Sequence, residues 1–358
     1  MEEGKINETE VLTGEKETFL TQMEMYNKSK EIVTNYGMLK GITSIGWYDN
    51  GNLKECQVNE EIILQTPAGT LIPGYQNEGV RNKYMKSLTF YESGAIKKIA
   101  LQEQTLINTH SGTFEAELLT FYNSGTVKRI FPLNGKITGY WTEENEYALA
   151  RPVKLTLPFK ELETKIIGIH LYESGEIKSL TIWPKELLSI QYANVAYGVR
   201  FGLSLYSTGA IKSLEPAYPV KVTTLIGEIS AFDVNAVGIN GDVNSLQFYE
   251  DGRIKSLVTS TDIIHVKGNG YVSNTSEENM RFLHNEEYII MPGLRKSMLG
   301  EEAMEIVPIY IEFTDYDVII RNEENYKFDI RYSIIEISNH AFMPKMKCSS
   351  CANCNGCG

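Results

Sequence analysis

The 358-residue chain lacks most of the features that would declare a simple chemistry. Basic side chains are in the minority, 34 Lys and Arg against 46 Asp and Glu, for a formal net charge of −12. General affinity for nucleic acid or an anionic membrane needs a net basic footprint, so neither is an expected partner. Long apolar runs are missing, and the opening MEEGKINETE is acidic and polar. Neither a membrane span nor a secretory leader is therefore expected. The expected compartment is the cytoplasm, where thiols stay reduced. The five histidines, His110, His170, His265, His284 and His340, share no metal-ligand spacing. GxxxxGK[ST], GxSxG and HExxH are all absent, which removes the familiar phosphate-cradle, nucleophile-elbow and zinc-hydrolase readings. No catalytic residue can be named.

What is plentiful is glycine (29) and tyrosine (21), the residues of turns and half-buried strands. They recur in one phrase. IGWYDNGNLKEC (45–56), LTFYESGAIKKI (88–99), LTFYNSGTVKRI (119–130), IHLYESGEIKSL (169–180), LSLYSTGAIKSL (203–214) and LQFYEDGRIKSL (246–257) align on Gly51, Gly94, Gly125, Gly175, Gly209 and Gly252. A tyrosine stands three residues before each glycine: Tyr48, Tyr91, Tyr122, Tyr172, Tyr206 and Tyr249. An aliphatic follows two after, and a lysine three after: Lys54, Lys97, Lys128, Lys178, Lys212 and Lys255. Agreement at three positions in six copies marks a true internal repeat.

Each phrase reads as a β-hairpin. A small or polar residue followed by Gly supplies the positive φ of a tight turn, and aromatic or β-branched flanks favour strands. The apolar slots two and five residues after Gly are oddly spaced for a plain strand, which implies a bulge. A second phrase, TPAGTL (66–71), THSGTF (109–114) and TLIGEI (224–229), places Gly69, Gly112 and Gly227 eighteen residues after a first-type glycine. The spacing of first-type glycines is irregular, which opposes a closed propeller and favours an open, elongated stack.

WYDNGNLKE (47–55) and FYESGAIKK (90–98) resemble the variant MORN-type repeat, Tyr-x-x-Gly-x-Leu/Ile-Lys. The resemblance covers roughly residues 38–260 by periodicity. It implies successive antiparallel hairpins in an elongated, twisted sheet, used mainly for scaffolding and binding. The expected fold class is all-β. An N-terminal cap, helical or irregular, is expected over 1–37, the hairpin array over 38–270, and a β-rich C-terminal cap over 271–338. A flexible tail follows over 339–358. Within the cap, 273–288 reads as a short helix or loop, and 306–322 with 326–337 as a hairpin about the turn 323–325.

Two groups are candidates for chemistry. Stacking would align the six lysines into a basic stripe able to hold an anionic polymer or acidic partner. The plainer reading pairs each lysine with a nearby acid such as Glu92, Glu173 or Glu250. The tyrosines read as packing residues. In the tail, Cys348, Cys351, Cys354 and Cys357 follow CxxCxxCxxC. Clustered thiolates suit a soft metal, Zn or Cu, or an iron–sulfur cluster. The run departs from a ferredoxin motif, which has three residues and then proline around its last cysteine. It also lacks the long loop between CxxC pairs of a closed zinc site. Thiol exchange, enzymatic modification and a free reduced tail are the alternatives. Cys56 occupies an apolar slot and reads as a buried structural thiol. The expectation is a non-catalytic scaffold for a protein partner, with a metal- or cluster-binding tail. Its rivals are a pure interaction module whose tail is a docking or modification site, and a carbohydrate-acting β-solenoid enzyme.

Overall fold

The structure is a computed structural model, and it describes residues 31–77, 79–83, 86–238, 241–274, 281–296 and 304–339. Within them the protein is almost entirely antiparallel β, with one short helix, Glu143–Leu149. No helix among the described residues is long and apolar enough to cross a membrane.

The turn phrase builds one hairpin six times. Gly51 N–H donates to Tyr48 O and Tyr48 N–H to Asn52 O, each at 2.9 Å. The same two bonds recur at Tyr91, Tyr122, Tyr172 and Tyr249. This is a turn closed by a residue in the left-handed region, and all six glycines take φ between 82° and 104°.

Just after each turn the strand register slips by one residue. Phe90 pairs with Ile96 but Thr89 with Lys98, so Lys97 is left over. The leftover residue is likewise Lys54, Lys128, Lys178, Lys212 and Lys255 in the other copies. The repeat lysine is the bulge residue. In a regular strand, positions three apart point to opposite faces. The inserted residue restores the phase, so Ile96 and Ile99 are both fully buried. Ile211 with Leu214 and Ile177 with Leu180 are buried in the same way.

The second phrase builds hairpins of another kind. Thr66, Thr109 and Thr224 each donate a side-chain hydroxyl to the carbonyl of the glycine three residues on, at 2.7 to 2.8 Å. A fourth example, Thr34 to Gly37 at 2.8 Å, lies in the stretch expected to be a cap. Residues Ile32–Thr34 and Gly37–Leu39 are therefore a hairpin. Eighteen residues after Gly175 the equivalent turn has no glycine; instead Ala193 and Asn194 both take positive φ, 47° and 65°, between paired Tyr192 and Val195.

These hairpins fold back across the first-type sheet. The tip at Pro67 sits against the turn Tyr122–Gly125, where a Cβ on Gly125 would meet Pro67 Cγ at 3.0 Å. The tip at 109–112 sits on the turn Tyr172–Gly175, with Ser111 Oγ donating to Gly175 O at 2.8 Å. Leu64, Leu71, Ile107 and Phe114 point inward from this upper layer, and all are at most 2% exposed. They close the core against Phe90, Ile99, Leu119 and Phe121 below. Two layers and one apolar interior are the ordinary requirement for burying a sheet face.

The chain divides into two compact units between Glu186 and Leu187, the turn Ser207–Gly209 alone grouping with the first. The sequence reads 38–270 as one array. In the first unit the ladder runs through Ile42–Trp47, Leu53–Val58, Leu88–Phe90, Ile96–Thr109, Gly112–Phe121 and Val127–Phe131, then Lys160–Leu171 and Ile177–Ile182. In the second it runs from Val195–Leu205 through Ile211–Pro216, Leu246–Phe248 and Ile254–Thr259 to Ile309–Phe313. It continues through Asp317–Arg321, Glu324–Asn339, Asp262–Asn274 and Arg281–Ile290. Two expectations for the cap change. Residues Arg281–Ile290 form a strand, not a helix or loop, because they lie antiparallel along Asp262–Asn274. The stretch 306–322 also contains its own turn, with Thr314 N–H donating to Asp317 O at 2.9 Å. That turn is a seventh hairpin of the array without glycine.

Candidate binding face

Five of the repeat tyrosines, Tyr48, Tyr91, Tyr122, Tyr206 and Tyr249, perform two tasks. The hydroxyl ties one hairpin to the next: Tyr48 donates to Phe90 O, Tyr91 to Phe121 O and Tyr122 to Leu171 O, at 2.7 to 2.8 Å. In the second unit Tyr206 donates to Phe248 O at 2.9 Å and Tyr249 to Phe313 O at 2.7 Å. The acceptor is always the residue just before the next turn. Meanwhile the ring carries the lysine of its own copy. The ammonium nitrogens of Lys54, Lys97, Lys128, Lys178 and Lys212 lie 5.2 to 5.7 Å from the ring centroids. At Tyr249 the cation is Arg253, at 5.4 Å. This is cation–π range. The bulge puts the lysine there, and neither the carboxylate pairing nor simple packing captures that arrangement.

In the first unit the row opens into a groove of about 410 Å³. Five cations line it: Lys54, Lys97, Lys98, Lys128 and Arg129. Among the described residues its only acid is Glu55, ion-paired with Lys86. Lys98 and Arg129 are absent from the sequence-level candidates. Each shares a bulge with the repeat lysine, so that Lys97 and Lys98 together oppose Thr89, and Lys128 and Arg129 oppose Thr120. The signal was the letter after the repeat lysine. It is basic in the second and third copies and serine in the last three, where Ser179, Ser213 and Ser256 are buried.

Elsewhere in the first unit an ionic cluster locks the loop 79–83 onto the body. Arg81 makes paired contacts to Glu117 and Glu146 at 2.7 to 3.0 Å. Lys83 stands 3.4 Å from Glu117, and Trp141 Nε1 donates to Glu146 at 2.7 Å. Burial pushes the Glu146 carboxyl up, but hydrogen bonds from Arg81 and Trp141 outweigh it and hold the group below its ordinary range. The cluster is internally satisfied and acts as a clasp.

Two cavities of the second unit differ in character. One, about 340 Å³, is lined by Glu215, Asp233, Phe201 and Tyr310. Glu215 is 4% exposed and accepts from Ser245 N–H and Ser245 Oγ at 2.8 Å each. Burial pushes its carboxyl up to about 7, because Arg200 approaches only to 3.9 Å. Burial likewise lowers the Arg200 guanidinium, so at this separation desolvation outweighs attraction in both partners. Phe201 beside it holds φ of 62°. The other cavity, about 710 Å³, is mainly apolar, with Ile289, Met291, Leu294 and Met304 at its wall.

Cys348, Cys351, Cys354 and Cys357 lie outside the described residues. Among those described, no cluster of three His, Cys, Asp or Glu is arranged to hold a metal. Cys56 is 2% exposed and unpaired, and burial pushes its thiol up to about 12, as befits an inert core residue. His170 is buried, His110 sits in a turn, and His265 shares a 3.0 Å hydrogen bond with Ser338. No known protein family, no curated protein and no solved structure matches this chain.

Proposed function

We propose that the protein is a non-catalytic binding scaffold for a protein partner, and that its cysteine tail carries a thiolate-bound metal or iron–sulfur cluster. One observation carries the scaffold reading. The same surface element, a tyrosine with a cation on its ring, is presented by each of the six hairpins, and five of these tyrosines donate their hydroxyl to the following strand. Repetition of a rigid surface suits extended recognition, and the resemblance of the turn phrase to MORN-type repeats points the same way. The tail reading rests on the CxxCxxCxxC spacing, since closely set thiolates select soft metals.

Full-length protein prepared without oxygen is expected to contain metal and to show thiolate charge-transfer absorbance. Replacing the four tail cysteines with Ser removes both and leaves the circular dichroism of the β array unchanged. Cross-linking of both forms under native conditions is expected to capture the same partner. A metal-free wild type overturns the tail reading. Failure to retain any specific partner overturns the scaffold.

A further inference from the structure

We infer that the groove across the second and third hairpins is a binding site for an extended acidic peptide segment. The inference rests on the scaffold reading and gives it a place and a ligand class. Its basis is charge segregation. Five cations converge on one groove in a chain of net charge −12, and the groove's only described acid is already matched by Lys86.

The geometry sets the ligand's direction. Lys54, Lys97 and Lys128 lie on strands separated in each case by one intervening strand. Successive rows of charge are therefore about 10 Å apart, twice the spacing of neighbouring strands. An extended chain laid across the strands brings same-side residues past the rows every ~7 Å. Carboxylates scattered along such a chain reach all three rows within about six to eight residues. Thr89 and Thr120 lie between the rows.

The same geometry disfavours nucleic acid. Single strands are gripped by stacking bases on exposed aromatic faces. Here the faces of Tyr48, Tyr91 and Tyr122 are covered by Lys54, Lys97 and Lys128 at 5.2 to 5.6 Å. A duplex presents a charge every ~1.7 Å and rewards a wide basic surface, whereas this footprint is narrow and bordered by a net acidic molecule.

Lys98 and Arg129 offer a clean test, because their counterparts in the last three copies are serine and the hairpin forms there regardless. The experiment titrates fluorescein-labelled peptide of alternating Glu and Ser into the full-length protein and reads anisotropy at low and physiological salt. Wild type is expected to bind the peptide, more weakly as salt rises. The double variant Lys98→Ser, Arg129→Ser is expected to lose about fivefold to tenfold in affinity, the scale of two partly exposed ion pairs. Lys267→Ser, which removes one exposed surface charge outside the hairpin row, serves as the control and leaves affinity unchanged. Equal binding by wild type and double variant overturns the site, as does tighter binding of a single-stranded oligonucleotide of equal charge. Absence of peptide binding by wild type also overturns it. If the double variant still captures the cross-linked partner, the site fails while the scaffold stands.

Discussion

A glycine in a first-type turn answers to one or two constraints, depending on what lies above it. Gly94 has φ of 82° and open space where a side chain would grow. Gly175 has φ of 104°, and an added Cβ would meet the Cβ of His110 at 2.9 Å. Gly94→Ala is expected to cost about 1 kcal/mol, the conformational penalty alone. Gly175→Ala adds displacement of the hairpin tip and is expected to cost ~2–4 kcal/mol. Thermal or urea unfolding of the two variants side by side checks the difference, and equal losses would refute the fold-back contact. The first constraint is legible in the sequence, since glycine after a small polar residue is a backbone signal. The second is not, because nothing in THSGTF says that its tip will reach a turn sixty residues on.

At the scale of elements the hairpin was readable for the same reason. Six aligned copies reveal the odd spacing of Ile96 and Ile99, and a bulge is the local answer to it. Alignment also hides what differs between copies. Lys98 and Arg129 escaped notice because the position after the repeat lysine varies, and variation there is what makes the groove. The turn at Thr314–Asp317 escaped because it has no glycine, and the helix Glu143–Leu149 because it is short. Its Thr142 and Asn145 form a reciprocal capping box that sequence reading could have found. That helix contributes Glu146 to the clasp around Arg81, where Glu117 and Glu146 are 5% and 4% exposed. Arg81→Ala leaves the buried Glu146 without a cation and Glu117 with Lys83 alone, and is expected to cost ~3–5 kcal/mol. Chemical denaturation checks this, and limited proteolysis should show the loop 79–83 becoming the first site of cleavage. A loss below ~1 kcal/mol would mean that solvent reaches the acids and the clasp is ornamental.

For the molecule as a whole, Glu215 sets a pH dependence that cuts against habit. Its folded carboxyl titrates near 7 instead of at the ordinary 4.5, owing first to burial. The folded state thus holds a proton that the unfolded chain releases, and stability falls as pH rises from about 4.5 to about 7, levelling beyond. The expected loss is roughly 2–4 kcal/mol. Glu215→Gln should keep the Ser245 bonds and flatten that slope; melting curves across the window decide, and an unchanged slope would exonerate Glu215. The tyrosine ties have a different consequence. Every hydroxyl named above donates forward along the chain, from Tyr48 to Phe90 and on to Tyr249 and Phe313. At the seventh turn Thr314 replaces tyrosine, and its hydroxyl accepts from Asp317 N–H at 3.0 Å within its own loop. The row in each unit therefore has a direction, and the tyrosine tie is not repeated at Thr314. Within each unit a hairpin added to the row satisfies the hydroxyl of the one before it, so loss of a later strand is expected to loosen the turn that precedes it.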